Sequence, residues 1–240
     1  KVFKVFFSSN NKGVAAMKPT TNNVPRHIGI ILDGNRRFAK RLMLKPWKGH
    51  EWGAKKVEQL LDWCHEYQIK ELTLYAFSYE NFNRPKGELN YLMDLFHKEF
   101  EKLCDDPRLH QHKINIRFIG RIWMFPKNVQ EQMHRLMEIT KDYQDHILNF
   151  AMAYGGRAEV IDATKQIAEK IKQGKLTVEE INEKTFSEHL YMQDEPDLII
   201  RTSESRLSGF LPWQSTYSEI IFLPDTLWPE FEKKDFVACI

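Results

Sequence analysis

One pattern constrains the fold more than any other: short, continuous apolar runs of strand length alternate with amphipathic stretches of helix length from Pro25 onward. Six runs read as strands: His27–Asp33 (HIGIILD), Glu71–Phe77 (ELTLYAF), Asn115–Gly120 (NIRFIG), His146–Tyr154 (HILNFAMAY), Asp197–Arg201 (DLIIR) and Ile220–Leu223 (IIFL). They are apolar throughout rather than at every second residue, which predicts strands covered on both faces, as in a parallel sheet between helices. The segments between them predict helices near 50–67, 88–104, 127–142, 157–173 and 178–191. Thr177 and Glu180 have capping-box spacing for the last helix, and Lys172–Leu176 forms the turn before it. The result is an α/β layered fold. No repeat, low-complexity tract or linker divides residues 25–240, so a single domain is expected there.

Composition narrows the function by exclusion. With 240 residues and 42% apolar content the chain can bury a core without staples. Its net charge of +2 gives no global field for coating nucleic acid, so no nucleic-acid partner is expected. Cys64, Cys104 and Cys239 form no CxxC pair, which argues against a disulfide framework or zinc knuckle and for a reducing, cytoplasmic setting. No glycines fall in GxGxxG or GxxxxGK[ST], so dinucleotide and P-loop readings lose their main support. No apolar run approaches the roughly 20 residues of a bilayer span. Residues 1–24 are basic, free of acids and rich in Ser, Thr and Asn, as expected of a mobile or loosely packed arm. The helical pattern running into Ile240 leads to the expectation that a natural C-terminus lies further on.

In an open parallel sheet, ligands bind outside the carboxyl ends of the strands. Four strand ends here lead into polar segments: Asp33-Gly34-Asn35-Arg36-Arg37, Ser78-Tyr79-Glu80-Asn81-Phe82-Asn83-Arg84, Tyr154-Gly155-Gly156-Arg157, and Arg201-Thr202-Ser203-Glu204-Ser205-Arg206. Each segment carries an arginine, and a parallel sheet brings them to one edge. Arginine forks with hydroxyl, amide and glycine N–H donors suit an oligophosphate. Asp33 has the opposite sign. It reads either as an N-cap for a helix starting near Asn35 or as a ligand for a hard ion such as Mg²⁺ between acid and phosphate. On the 88–104 helix, Leu89, Leu92, Met93, Phe96, Phe100 and Leu103 share a face, which is ordinary core or, for a greasy substrate, a tunnel wall.

Seven ordered segments, HIGIILDGNRRFAK, WKGHEWGAKK, LYAFSYENFNRP, FIGR, NFAMAYGGRAEV, DLIIRTSESRLSGFLPWQSTYSEIIF and LWPEF, resemble the blocks of the cis-prenyltransferases, the undecaprenyl and dehydrodolichyl diphosphate synthases. The resemblance covers about residues 25–236. It implies a six-stranded, mainly parallel sheet flanked by helices with a hydrophobic tunnel. The implied reaction extends an allylic diphosphate, farnesyl diphosphate being the usual one, with isopentenyl diphosphate to a Z-polyprenyl diphosphate that serves as a glycan-carrier lipid precursor. It also implies a homodimer or related heteromer and, since the product must reach a bilayer, peripheral membrane contact. The all-helical trans synthases carry DDxxD; Asp105-Asp106-Pro107-Arg108-Leu109 lacks the final Asp.

Residue by residue, the resemblance assigns catalysis to Asp33, with Mg²⁺, and to Asn81. It assigns the allylic diphosphate to Gly34, Asn35, Arg36, Arg37, Phe38 and His50, and orientation of the new unit to Ser78, Tyr79, Glu80, Phe82 and Arg84. Arg201, Arg206, Leu207 and Ser208 take the isopentenyl diphosphate, and Glu219 joins Asp33 as a metal ligand. A neutral amide is a poor base, so Asn81 is expected to orient or relay, with a diphosphate oxygen accepting the proton. Glu219 precedes its strand, which sets it at the wrong end of a parallel sheet unless it acts across a dimer interface. Two departures stand out. Pro46, with Lys45 beside it, replaces an arginine, so this phosphate contact keeps a charge without a fork. RTSESR is one residue shorter than the family's RTxGExR; either the loop is altered and the isopentenyl site weakened, or the sequence lacks a residue there. That shortening also admits a non-catalytic subunit, and the tunnel leaves a short-chain synthase open. Phosphoryl transfer with Asp33 as nucleophile is disfavoured by Asn35 two residues on.

Overall fold

A computed structural model describes residues 24–240; the arm expected over residues 1–24 lies, apart from Val24, outside them. Strands β1 (His27–Ile31), β2 (Glu71–Ser78), β3 (Ile114–Ile119), β4 (His146–Tyr154), β5 (Leu198–Thr202) and β6 (Glu219–Leu223) form one sheet in the order β3-β4-β2-β1-β5-β6. Every neighbouring pair is parallel. All six expected strands are present, and β1 and β5 are buried along their whole length, as continuous apolar runs require. β1 stops two residues early because the Asp33 N–H turns back to the Ile31 carbonyl (3.0 Å).

The helices are α1 (Asn35–Arg41), α2 (Gly49–Glu66), α3 (Lys86–Cys104), α4 (Pro107–Gln111), α5 (Lys127–Thr140), α6 (Gly156–Lys172), α7 (Glu183–Ser187) and α8 (Lys233–Cys239). The helix expected over 178–191 is a correction. Its capping box forms, with the Thr177 N–H donating to Glu180 Oε2 (2.7 Å), but it closes a single 3₁₀ turn at Val178–Glu180. Asn182 is extended and its side chain accepts from the Thr185 N–H (3.0 Å), so a new start replaces propagation and α7 ends at Ser187.

The larger core packs one sheet face against α2, α3, α5 and α8, with Leu60, Leu92, Phe100, Met133, Leu136 and Phe236 buried there. A smaller cluster, including Tyr75, Tyr154, Ile199, Phe210 and Leu211, covers the other face. There the buried carboxylate of Glu159 on α6 accepts from Tyr154 Oη, the Tyr191 N–H (2.9 Å) and Gln214 Nε2 (3.1 Å). β1 has β2 on one side and β5 on the other, so the chain reverses its strand order at β1 and leaves a crevice at the carboxyl edge. Among the described residues no helix is long and apolar enough to cross a membrane.

Candidate active site

Asp33 stands at that crevice. Its Oδ1 accepts the Gly34 N–H (2.7 Å), and its Oδ2 accepts Arg201 Nη2 (3.0 Å) and lies 3.5 Å from Arg37 Nη2. The backbone holds it in place: its carbonyl accepts Thr202 Oγ1 (2.7 Å), Ser203 Oγ (3.0 Å) and the Trp228 N–H (2.9 Å). Gly34, not Asp33, is the N-cap of α1. At φ 112° Gly34 has a backbone that L side chains avoid, and a Cβ there would lie 2.3 Å from Ser203 Oγ. Asn35 is buried under α2, where a Cβ on Gly49 would meet the Asn35 carbonyl at 1.9 Å.

After β5, Arg201 is buried and donates from Nη1 to Ser208 Oγ (2.7 Å) and to the Arg206 carbonyl. Arg206 Nε reaches the same hydroxyl (3.3 Å), and Leu207 packs beneath on the smaller core. The loop is short yet holds Arg206 beside Arg201, with Ser203 in the left-handed conformation (φ 71°). Arg201, Arg206 and Ser208 therefore converge despite the shortening.

After β2, Ser78–Arg84 wraps a 3₁₀ turn (Tyr79–Asn83) in which Asn81 Oδ1 accepts the Ser78 N–H (3.1 Å). Phe82 joins an aromatic cluster with Phe77 and Phe125. Tyr79 faces the Arg121 guanidinium at 5.2 Å, and Glu80 is exposed. Arg84 donates from Nη1 to Glu88 Oε1 (2.8 Å) and to His50 Nε2 (3.2 Å). Arginine only donates, so His50 carries its proton on Nδ1. Burial, reinforced by the charges of Arg84 and Arg36, depresses the His50 pKa to about 3, leaving a neutral ring. Phe38 meets Trp52 edge to face at 5.8 Å, and exposed Lys45 sits over Trp47 (5.5 Å). Arg157 makes no hydrogen bond or ion pair with this group among the described residues.

From Asn35 and His50 an apolar cavity of about 990 Å³, including its open mouth, runs between α2 and α3. Leu92, Phe96, Phe100 and Leu103 from the expected stripe line it, joined by Ala54, Val57 and Leu61 of α2, by Leu95 and by Trp228. Met93 is buried in the core instead. A cationic, Mg²⁺-compatible pocket that opens into a greasy cavity fits a substrate with a diphosphate head and a hydrocarbon tail.

The comparisons with known proteins agree. The family model for undecaprenyl diphosphate synthase matches residues 31–240. This chain belongs to the cis-prenyltransferase family. It is 48% identical over 226 residues to a tritrans,polycis-undecaprenyl-diphosphate synthase (geranylgeranyl-diphosphate specific) of Methanopyrus kandleri, covering 93% of this chain and 83% of the relative. A synthase of the same description from Methanocaldococcus jannaschii is 46% identical over 91% of this chain and 80% of its own length. Among solved structures, lavandulyl diphosphate synthase from Lavandula x intermedia with dimethylallyl diphosphate superposes with TM-score 0.85 at 31% identity, covering 90% of this chain and 93% of the other. A probable undecaprenyl diphosphate synthase from Campylobacter jejuni superposes with TM-score 0.73 at 32% identity, covering 89% and 92%.

In this prenyltransferase the expected metal ligand Glu219 stands apart. It opens β6 in register with Leu198 and Ile28, five residues before Asp33, about 17 Å away along parallel strands. Within one chain it does not meet Asp33, in keeping with its place ahead of the strand. Among the described residues no three His, Cys, Asp or Glu side chains gather as a preformed metal site. Mg²⁺ retains waters and binds through one or two carboxylates plus substrate phosphates, so Asp33 beside a diphosphate suits it without further protein ligands. Sequence reasoning misses Glu88. It is 2% exposed, holding Arg84 (2.8 Å) and Arg36 (3.3 Å). Its i,i+4 spacing from Arg84 is the available signal. Trp228 also has no role in the sequence pattern, yet it lines the cavity and ties its indole N–H to the Gly53 carbonyl (3.0 Å).

Proposed function

We propose that this prenyltransferase extends geranylgeranyl diphosphate with isopentenyl diphosphate to a Z-polyprenyl diphosphate reaching the undecaprenyl length, a precursor of glycan-carrier lipid. The observation that carries the reading is Asp33 paired with Arg37 and Arg201, flanked by Arg206 on Glu204 and by Arg36 and Arg84 on Glu88, beside an apolar cavity that begins at Asn35 and His50. The farnesyl starter suggested by the wider resemblance gives way to geranylgeranyl, because that specificity is in the names of relatives 43–48% identical to this chain.

In this reading Asp33, Gly34, Asn35, Arg36, Arg37 and Phe38 hold the allylic diphosphate. His50 contributes a neutral Nδ1–H donor beside the leaving group. Arg201, Arg206, Leu207 and Ser208, with Ser78, Tyr79, Glu80, Phe82 and Arg84, seat isopentenyl diphosphate, and Lys45 adds charge at the rim. The bond from C1 of the allyl group to its diphosphate oxygen breaks, and C1 bonds to the terminal alkene carbon of isopentenyl diphosphate. A proton then leaves for an oxygen of the released diphosphate. A neutral amide is a poor base, so Asn81, whose Oδ1 accepts the Ser78 N–H, orients or relays instead. The arginines stabilise the charge that builds on the departing group. Mg²⁺, held by Asp33 and the substrate, would supply Lewis-acid stabilisation of the same charge.

A homodimer through β6 belongs to the same proposal. It is supported by an open sheet edge carrying exposed Ile220 and, just before it, Tyr217, and it would allow Glu219 to act toward a second copy. Peripheral contact with a bilayer would receive the product. The test is incubation with geranylgeranyl diphosphate, labelled isopentenyl diphosphate and Mg²⁺, with farnesyl diphosphate in a parallel arm. Butanol-extractable label is expected, with higher kcat/KM for geranylgeranyl diphosphate. No extractable label beside an active control synthase would sink the reading, and a farnesyl preference would sink the starter.

A further inference from the structure

The turn after β2 is anchored unevenly. Arg84 ties its far end to Glu88 and His50, and Phe82 fixes its middle against Phe77 and Phe125. Its leading residue, Tyr79, is 38% exposed and is held by packing alone. It lies over Gly155 at the end of β4, where an added Cβ would come within 3.4 Å of the Tyr79 Cβ, and its ring meets the Arg121 guanidinium at 5.2 Å.

Arg121 is fixed in place from behind. The chain leaves β3 through Gly120, at φ 112°, where a Cβ would meet the Met152 carbonyl at 2.2 Å, so the backbone turns tightly against β4. The Arg121 side chain, 19% exposed, then forks onto Asp162 of α6 (Nε to Oδ2 and Nη2 to Oδ1, both 2.8 Å). Tyr191 Oη donates to the same carboxylate. A bidentate fork sets the plane of a guanidinium as well as its position. Two of the three guanidinium nitrogens are thus committed to α6, and what remains for the β2 turn is a planar cation over an aromatic face. We propose that Arg121, clamped by Asp162 and Tyr191, is a positioning residue: through the ring of Tyr79 it holds the Ser78–Arg84 turn where isopentenyl diphosphate is received. Its charge is met by Asp162, so it acts on the substrate through the turn and not as another diphosphate ligand. The inference rests on the prenyl-transfer reading above, in which that turn seats the incoming unit. It separates the two substrates, because the allylic diphosphate lies with Asp33–Phe38 and His50, with which Arg121 makes no hydrogen bond or ion pair among the described residues.

The experiment measures the first condensation in wild type, Arg121→Ala, Asp162→Asn, Tyr79→Ala and the Arg121→Ala/Tyr79→Ala double variant, varying isopentenyl and geranylgeranyl diphosphate separately. Arg121→Ala and Asp162→Asn should each raise KM for isopentenyl diphosphate about three- to five-fold, as loss of an exposed cation–π contact does. KM for geranylgeranyl diphosphate should stay within about two-fold of wild type, which also reports a folded site. The double variant should be no worse than Tyr79→Ala alone, since both changes remove one contact. An unchanged KM for isopentenyl diphosphate in Arg121→Ala, or an equal rise for both substrates, would overturn the positioning role and leave prenyl transfer standing. A lower KM in Asp162→Asn, from a freed arginine gripping diphosphate directly, would do the same, as would losses that multiply in the double variant. No condensation by wild type beside an active control synthase would overturn both readings.

Discussion

Asp33 is held by its side chain and its backbone at once, and that combination separates its chemistry from its support. The carbonyl is fixed by Thr202, Ser203 and Trp228, while the carboxylate, 34% exposed, faces Arg201 and Arg37. Asp33→Ala should therefore lower initial prenyl-transfer rates by at least ~10²–10³-fold, the range for losing one charge-stabilising group, while the urea midpoint stays near wild type. His50 makes a prediction of opposite kind. Its folded pKa lies near 3 and that of His27 near 4, both below the ordinary value of 6.5, and both are lowered mainly by burial. Below about pH 6.5 the unfolded chain takes up protons that the folded chain refuses, so stability falls as pH drops toward 4. Each histidine sets a limiting slope of about 1.4 kcal/mol per pH unit. Urea unfolding between about pH 7 and 4.5 should show this loss, with a shallower slope in His50→Gln. Asp33, Arg84 and Arg201 are legible in the sequence because each ends or follows an apolar run. Glu88 is not, because its role arises only when α1 carries Arg36 against it.

At the scale of elements, the junction of α1 and α2 is the tightest in the site. Gly49 and Gly53 let α2 sit on Asn35, and even a methyl at Gly49 would fall 1.9 Å from a backbone oxygen. Gly49→Ala should cost about 1–3 kcal/mol in urea unfolding, as overpacking does, and should raise KM for the allylic diphosphate because Arg36 and Arg37 ride on the displaced helix. The β5 loop shows how far element reading reaches. The missing residue is visible in RTSESR, but its effect is not, since a serine at φ 71° in that turn is a property of the fold. The segment after α6 departs from expectation for the converse reason. A capping box specifies a start, and nothing in Thr177–Glu180 announces that Asn182 begins again two residues later.

Across the whole molecule, strand order decides where the polar segments meet, and hydropathy decides what surrounds them. Parallel strands covered on both faces follow from the pattern of apolar runs; their order does not, and neither does the cavity, because Phe96 and Phe100 have the same periodicity whether they face core or void. The open β6 edge carries a prediction at this scale: light scattering should give twice the chain mass, and Ile220→Lys, placing charge on that edge, should shift the protein toward monomer at low micromolar concentration. The arginines of the site also already have company, Arg36 and Arg84 with Glu88, Arg37 with Asp33 and Glu204, and Arg206 with Glu204. On the proposed reading an arriving diphosphate would compete with Glu88 and Glu204 for these arginines instead of meeting vacant cations. When diphosphate is released at the end of each cycle, those acids can reclaim their partners and help expel it. In that reading, a site that works as an ion exchanger would suit repeated condensation onto one growing chain.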